Sequence, residues 1–502
     1  MELSNSQKVI IIDDEYEEAK PLIKCLAIKG IPSIYWDGGY ENTPKAPLKG
    51  VRLVFLDMRF SAVYDERNIN TFLFHLLQKA ISIDNGPYIL FIWSKHDSEY
   101  LESFKKDILI EKQIASPYLI LNMEKNKFIE QTYEKNSAYY EIASAIEEKG
   151  NKELLKILKD NIDKGNEKVK IKDGGIEKLA SELDKKLKNM NSLSILLLWE
   201  KLVNVSAQNL IKDISDLSDN DKCWDNNIKT LIRNLARANG GKALEETPKG
   251  YITNAIQALN EMLSDELWNS LIREDINQEE FSFIKEPSIK KIAYGTTYSI
   301  YKSSKGTYCI KKDNSDYITF KDISSLSEMK DKEVVIELYE KYLSLLAETN
   351  FKLLCENTGN DNVFAKLGGL YLIENKELLK EICRSSLKNI DQIKNIKLVK
   401  LDISSACDYA QNKLKRIRVL YGIIIEKENF NAVQSTEDIY CTPLIKLDKK
   451  IVKIVFNFHY ISNQKKDELD TSAVKLFFRE LLLNEIKHRL SSYISRVGII
   501  NL

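Results

Sequence analysis

Along the first 130 residues, short unbroken apolar runs alternate with stretches of helical period. Val9-Ile10-Ile11-Ile12 is the first run, followed by acidic residues and a helical stretch through Ala27. Further runs lie at residues 31–36, 51–56, 87–93 and 117–121, with helices expected at about 70–81 and 98–110. A strand that is apolar at every position is buried on both faces, as in a parallel strand covered by helices above and below. The pattern therefore predicts an α/β segment built on a doubly wound five-stranded parallel sheet.

From about residue 134 the pattern turns helical. Residues 145–190 are rich in Lys and Glu and read as an exposed helical arm. Ile195, Leu198, Leu202 and Val205 recur at helical spacing, as do Ile228, Leu231, Leu235 and Ala238, which run up to Gly240-Gly241. Ile252, Ile256, Leu259 and Leu263 make a further stripe. From about 286 the pattern is mixed. A hairpin is expected over 298–312, turning at Ser304-Lys305-Gly306, with strands at 370–373, 396–401, 419–425 and 451–458. Helices are expected around Leu345, Leu379 and Leu482, which gives an α+β domain read as a small barrel with helical decoration. Three domains follow: 1–130 α/β, 131–285 helical and 286–502 α+β.

Charge narrows the function classes. Lys plus Arg equals Asp plus Glu at 74 each, so no global field points to nucleic acid or an anionic membrane. The seven cysteines (25, 223, 309, 355, 383, 407 and 441) form no CxxC pair, and there are four histidines. That argues against a zinc site and for a reducing, cytoplasmic setting. The N-terminal MELSNSQK lacks a signal-peptide pattern, and no apolar run reaches the length of a membrane span.

The chemistry concentrates at strand ends. VIIIDDE puts Asp13, Asp14 and Glu15 after the first strand, and LVFLDMR puts Asp57 after the third. In a doubly wound sheet these ends share one crevice. Clustered carboxylates there call for a hard divalent cation such as Mg²⁺. The arrangement resembles the receiver domain of bacterial response regulators, a flavodoxin-like fold, over about a quarter of the chain. The resemblance implies Asp57 as phosphoacceptor, Asp13 and Asp14 as metal ligands with Asp57, and Arg59 as the residue whose backbone carbonyl joins them. It implies Ser94, in LFIWSK, as the switch hydroxyl. The family's lysine after the fifth strand falls on Lys125, a few residues past YLIL and without the usual proline; Lys95 is the alternative.

Outside that segment no helix-turn-helix, Walker, GGDEF-like or HExxH pattern is present. Cys407, Asp408 and Gln411, in SSACDYAQNK, form a speculative C-terminal site, with His459 or His488 as a base in space. The simpler reading makes Cys407 a buried hydrophobe and Asp408 a helix cap. Trp199 is expected in the core and Glu200, Arg233 and Arg237 on solvated faces; Arg489 and Arg496 read as surface or ion-paired. IWSKHD, SSACDYAQNK and HRLSSYISRVGII together resemble large receiver-bearing proteins of bacterial conflict and anti-phage islands. Those resemblances imply a non-enzymatic regulator or adaptor that responds to aspartyl phosphorylation or a partner. It would relay to a protein, an ATPase of the histidine-kinase/Hsp90/MutL type, in phage defence. The alternatives are an effector with a C-terminal hydrolase or nuclease site and, more weakly, a DNA-binding response regulator.

Overall fold

The computed structural model describes residues 8–39, 41–58, 60, 69–95, 100–133, 142, 144–147, 149, 154, 167–188, 192–217, 223–241, 244–276, 281, 289–303, 307–326, 329–357, 366–388, 395–405, 415–470 and 473–495. The chain divides into two compact units, Met1–Leu231 with Gln257–Ile284 and Ile232–Ile256 with Lys285–Leu502.

In the first unit β1 (Lys8–Ile12), β2 (Ser33–Trp36), β3 (Val51–Leu56), β4 (Ile89–Ser94) and β5 (Leu119–Glu124) form an all-parallel sheet. Their order is β2-β1-β3-β4-β5, the flavodoxin-like winding. The apolar runs work as expected, because successive side chains leave opposite faces of a strand. Val9, Ile11, Leu53, Phe55, Phe91 and Trp93 enter one core, under Ala19, Leu22 and Leu26 of α1 (Tyr16–Ile28). Ile10, Ile12, Val54, Leu56, Leu90 and Ile92 enter the other, under α2 (Ile69–Ala80) and α3 (Tyr100–Ile110).

The region after β5 departs from the sequence expectation of helices alone. Strands β6 (Ile129–Tyr133) and β7 (Glu167–Ile171) pair antiparallel. Part of the expected exposed arm is core: α4 (Gly175–Leu187) buries Leu179, Leu183 and Leu187 in the same cluster as α1. Each such leucine contributes roughly 1.5–3 kcal/mol relative to exposure, which outweighs the solvation of the Lys/Glu face. Gly175 lets α4 start close to the chain after β5, since a Cβ there would sit 2.7 Å from the Phe128 carbonyl.

Helix α5 (Ser192–Asp216) also differs in detail. Its buried positions are Leu193, Ser194, Leu197, Leu202 and Ser206; of the expected 195/198/202/205 stripe Leu202 is buried and Leu198 half-buried, while Ile195 and Val205 are exposed. Trp199, expected in the core, is 60% exposed. The reason is the docking direction: α5 is fixed by Leu193 and Leu197 against the α1 face and by Glu200, which accepts from Arg52 Nε and Nη2 of β3 at 2.8 and 3.0 Å. Glu200 is thus ion-paired rather than merely solvated. Helices α6 (Trp224–Gly240) and α7 (Pro248–Arg273) follow; Ile228, Leu231 and Leu235 are half-buried, while Ala238, Arg233 and Arg237 are exposed.

The second unit contains a four-stranded antiparallel meander, β8 (Lys290–Ala293), β9 (Thr296–Lys302), β10 (Tyr308–Lys312) and β11 (Ser315–Thr319). β9 and β10 are the expected hairpin; its turn at Ser304–Gly306 lies outside the described residues. After the long α8 (Met329–Leu354) comes a larger sheet of β12 (Cys355–Asn357), β13 (Gly369–Leu372), β14 (Lys397–Asp402), β15 (Arg416–Glu426), β16 (Ile439–Cys441), β17 (Ile445–Leu447), β18 (Lys450–Lys465) and β19 (Val474–Phe478). Its order is β12-β19-β13-β14-β15-β18-β16, with β17 also on β18, and every pair is antiparallel. Among the described residues this path does not close, so the expected barrel is an open sheet. Between β13 and β14 lies α9 (Lys376–Ser386), whose Ile382 and Cys383 cover one face; α10 (Glu480–Ile494) covers the other with Leu482, Leu483 and Ile486. No helix among the described residues is long and apolar enough to cross a membrane.

Candidate functional site: a buried carboxylate–lysine pocket

Strand order reverses between β2-β1 and β1-β3, so the loops after β1 and β3 diverge there and leave a crevice at the C-terminal strand ends. Asp13 follows β1, Asp57 follows β3, Ser94 ends β4, and Lys125 follows β5. Backbone bonds fix the first two: Asp57 N donates to Ile12 O at 2.9 Å, and Asp13 N donates to Trp36 O at 3.1 Å. Asp13, Asp57, Ser94 and Lys125 are all buried.

Lys125 holds the centre. Its Nζ, fully buried, lies 2.6 Å from Asp57 Oδ2, 2.8 Å from Asp13 Oδ2 and 3.0 Å from Glu18 Oε2. It donates hydrogen bonds to Asp57 and Glu18 and ion-pairs with Asp13 Oδ2. The expected displacement of this lysine disappears in the structure. β5 runs on through Asn122-Met123-Glu124, paired with Ile92-Trp93-Ser94, so Lys125 comes directly after the strand. A 3-10 turn over Lys125–Lys127 follows the strand, and Phe128 stacks on Trp93 with ring centroids 5.9 Å apart. Lys95 does not replace Lys125; it ion-pairs with Glu18 Oε1, and its carbonyl accepts from Asn126 Nδ2 at 2.6 Å.

Glu18 is the member that the sequence reading missed. It sits on the buried side of α1, one residue before Ala19 and four before Leu22. A carboxylate on that apolar stripe was the available signal, because an acid there needs a buried partner.

Burial, together with repulsion from Asp57, raises the Asp13 carboxyl to about 7, and the Lys125 ammonium offsets this only in part. Burial alone would lower Lys125, but Asp57, Asp13 and Glu18 outweigh it and hold the ammonium charged. Glu18 also feels burial, yet Lys125 and Lys95 bring it below its usual range. The pocket is thus a set of charges in low dielectric, each dependent on its neighbours.

One oxygen from each of Asp13, Asp14 and Asp57 lies within 4.8 Å of the others. Oxygen donors so grouped suit a hard divalent ion. With all groups ionised, the four carboxylates exceed Lys95 and Lys125 by two charges, the amount one divalent ion supplies. A metal ion therefore fits the residues present. Arg59, Cys407, Asp408, Gln411 and Arg496 lie outside the described residues. His459 is described: its Nε2 is 3.1 Å from the Tyr493 hydroxyl and 3.6 Å from Asp438.

No protein-family model matches the sequence, and no curated protein matches it. Among solved structures, it is similar to the crystal structure of adenylate cyclase from Rhodopirellula baltica, at 15% identity over 30% of this chain and 98% of that one. The TM-score of 0.17 carries no argument about fold or activity.

Proposed function

We propose that the chain is a signalling regulator whose N-terminal sheet is a receiver that accepts a phosphoryl group on Asp57. The observation that carries this reading is the position of Lys125, directly after β5 and 2.6 Å from Asp57 beside the three-carboxylate group. A receiver needs a nucleophilic carboxylate, a cation site and a fixed ammonium at one crevice. A divalent ion held by Asp13, Asp14 and Asp57 would supply neutralisation of the transferring phosphoryl charge. Asp57 attacks phosphorus of a small acyl phosphate; the new Asp57 O–P bond forms as the donor's P–O bond breaks, and the carboxylate of the donor leaves. Lys125 pairs with a phosphoryl oxygen, and the Ser94 hydroxyl donates to another. Phosphorylation replaces the single charge of the Asp57 carboxylate with the roughly 1.5–2 negative charges of the phosphoryl group, which biases the β4–α3 region.

The output in this proposal is a contact with a protein partner, an ATPase of the histidine-kinase/Hsp90/MutL type in phage defence being the class that the family resemblance implies. Full-length protein incubated with acetyl phosphate and Mg²⁺ is expected to show a phosphoryl adduct by intact mass, absent in Asp57→Asn. Beryllofluoride with Mg²⁺ is expected to slow hydrogen exchange over residues 94 and 100–110. No adduct together with unchanged exchange would reject the receiver reading and leave a docking module.

A further inference from the structure

An ammonium and a divalent ion would draw on the same carboxylates in this pocket. Lys125 Nζ occupies Asp13 Oδ2 and Asp57 Oδ2, two of the three residues that could ligate a cation. The two positive charges repel at close range in a buried site, where water screens little. For a cation to enter, the ammonium must find negative charge elsewhere without leaving the protein interior.

Glu18 is the group placed for this. It comes from α1, not from a strand end, and is not among the three grouped ligands. Its two oxygens are divided: Lys95 holds Oε1, and Oε2 faces Lys125 at 3.0 Å. We infer that Glu18 is a positioning residue that takes over the Lys125 ammonium when a divalent cation binds Asp13 and Asp57, and so sets the affinity of the pocket for that cation. This rests on the receiver reading, and adds to it a residue that tunes cation entry. Lys125 needs only to shift its weight from two aspartates to a carboxylate already within bonding distance. With glutamine at 18 the side-chain shape remains but the countercharge is gone, so the ammonium stays on Asp13 and Asp57.

The test is a calorimetric Mg²⁺ titration of the full chain. Glu18→Gln is expected to weaken Mg²⁺ binding about tenfold, which corresponds to ~1.4 kcal/mol. Loss of a general attractive charge would also weaken binding, so the deciding measurement is made in a Lys125→Gln background. There Glu18→Gln is expected to change Mg²⁺ affinity less than about twofold, a small fraction of the ~1.4 kcal/mol that a tenfold change represents. An equal loss in both backgrounds overturns the inference, as does wild-type affinity in Glu18→Gln. If Glu18→Gln alone does not fold, the comparison between Lys125→Gln and the double variant carries the test, with unequal affinities as the refuting result. Failure of the wild-type chain to bind Mg²⁺ refutes the receiver reading itself, which is a distinguishable outcome.

Discussion

The parallel sheet of the first unit and the large antiparallel sheet of the second both bury polar side chains, but they use them differently. In the first, Asp13, Asp57 and Lys125 come from the ends of three strands and meet in one pocket. In the second, buried polar groups each close a local piece of backbone. Asp402 Oδ1 accepts from Ser404 N at 2.9 Å, Thr442 Oγ1 accepts from Ile454 N at 2.9 Å, and Asn457 Oδ1 accepts from His459 N at 3.0 Å. Topology explains the contrast. Parallel strands all point one way, so every C-terminal end lies on the same edge; antiparallel strands alternate, and their ends scatter to two edges. Interdependent charges in the first sheet make a site, whereas satisfied backbone bonds in the second make a scaffold.

The sharpest way to break this comparison is to remove Lys125. Lys125→Gln leaves buried carboxylates without their ammonium and is expected to cost about 3–5 kcal/mol in urea unfolding. Mg²⁺ should restore part of that loss by binding the folded state. A loss under ~1 kcal/mol, or one that Mg²⁺ does not touch, would mean that the pocket charges are independent.

A second contrast is pH. Asp13, raised to about 7 from 3.8, holds a proton in the folded state that the unfolded chain releases. Its contribution to stability is therefore fully present below 3.8 and fades as pH rises through about 7 in metal-free protein. The same proton blocks a ligand atom. Mg²⁺ affinity is expected to rise up to about tenfold from pH 6 to pH 8, and to lose that slope in Asp13→Asn. A flat profile in the wild type would count against Asp13 as a ligand.

The smallest effect belongs to the second sheet. Asp402→Asn keeps the acceptor for Ser404 N and is expected to cost about 1 kcal/mol, with no dependence on Mg²⁺. A Mg²⁺-dependent midpoint in this variant would show that the scaffold and the site are not separate in kind.

The order of the α/β elements and the placement of Asp13, Asp14 and Asp57 at strand ends follow from local sequence, because doubly buried parallel strands leave unbroken apolar runs with polar residues just past them. The docked face of a helix and the end of an edge strand do not. Trp199 points to solvent and α4 into the core because neighbouring elements select one face of each helix, and those neighbours are distant in sequence. β5 continues through Asn122 and Glu124 because its backbone pairs with β4, while its position at the sheet edge leaves most of its side chains half-buried and frees it from an apolar pattern. That hidden extension brings Lys125 to Asp57, and the fold of α1 brings Glu18 to Lys125. The sequence by itself determined which strand ends carry acids; only tertiary pairing decided which ammonium meets them and which fourth carboxylate meets that ammonium, because each contact joins residues 68 to 112 positions apart.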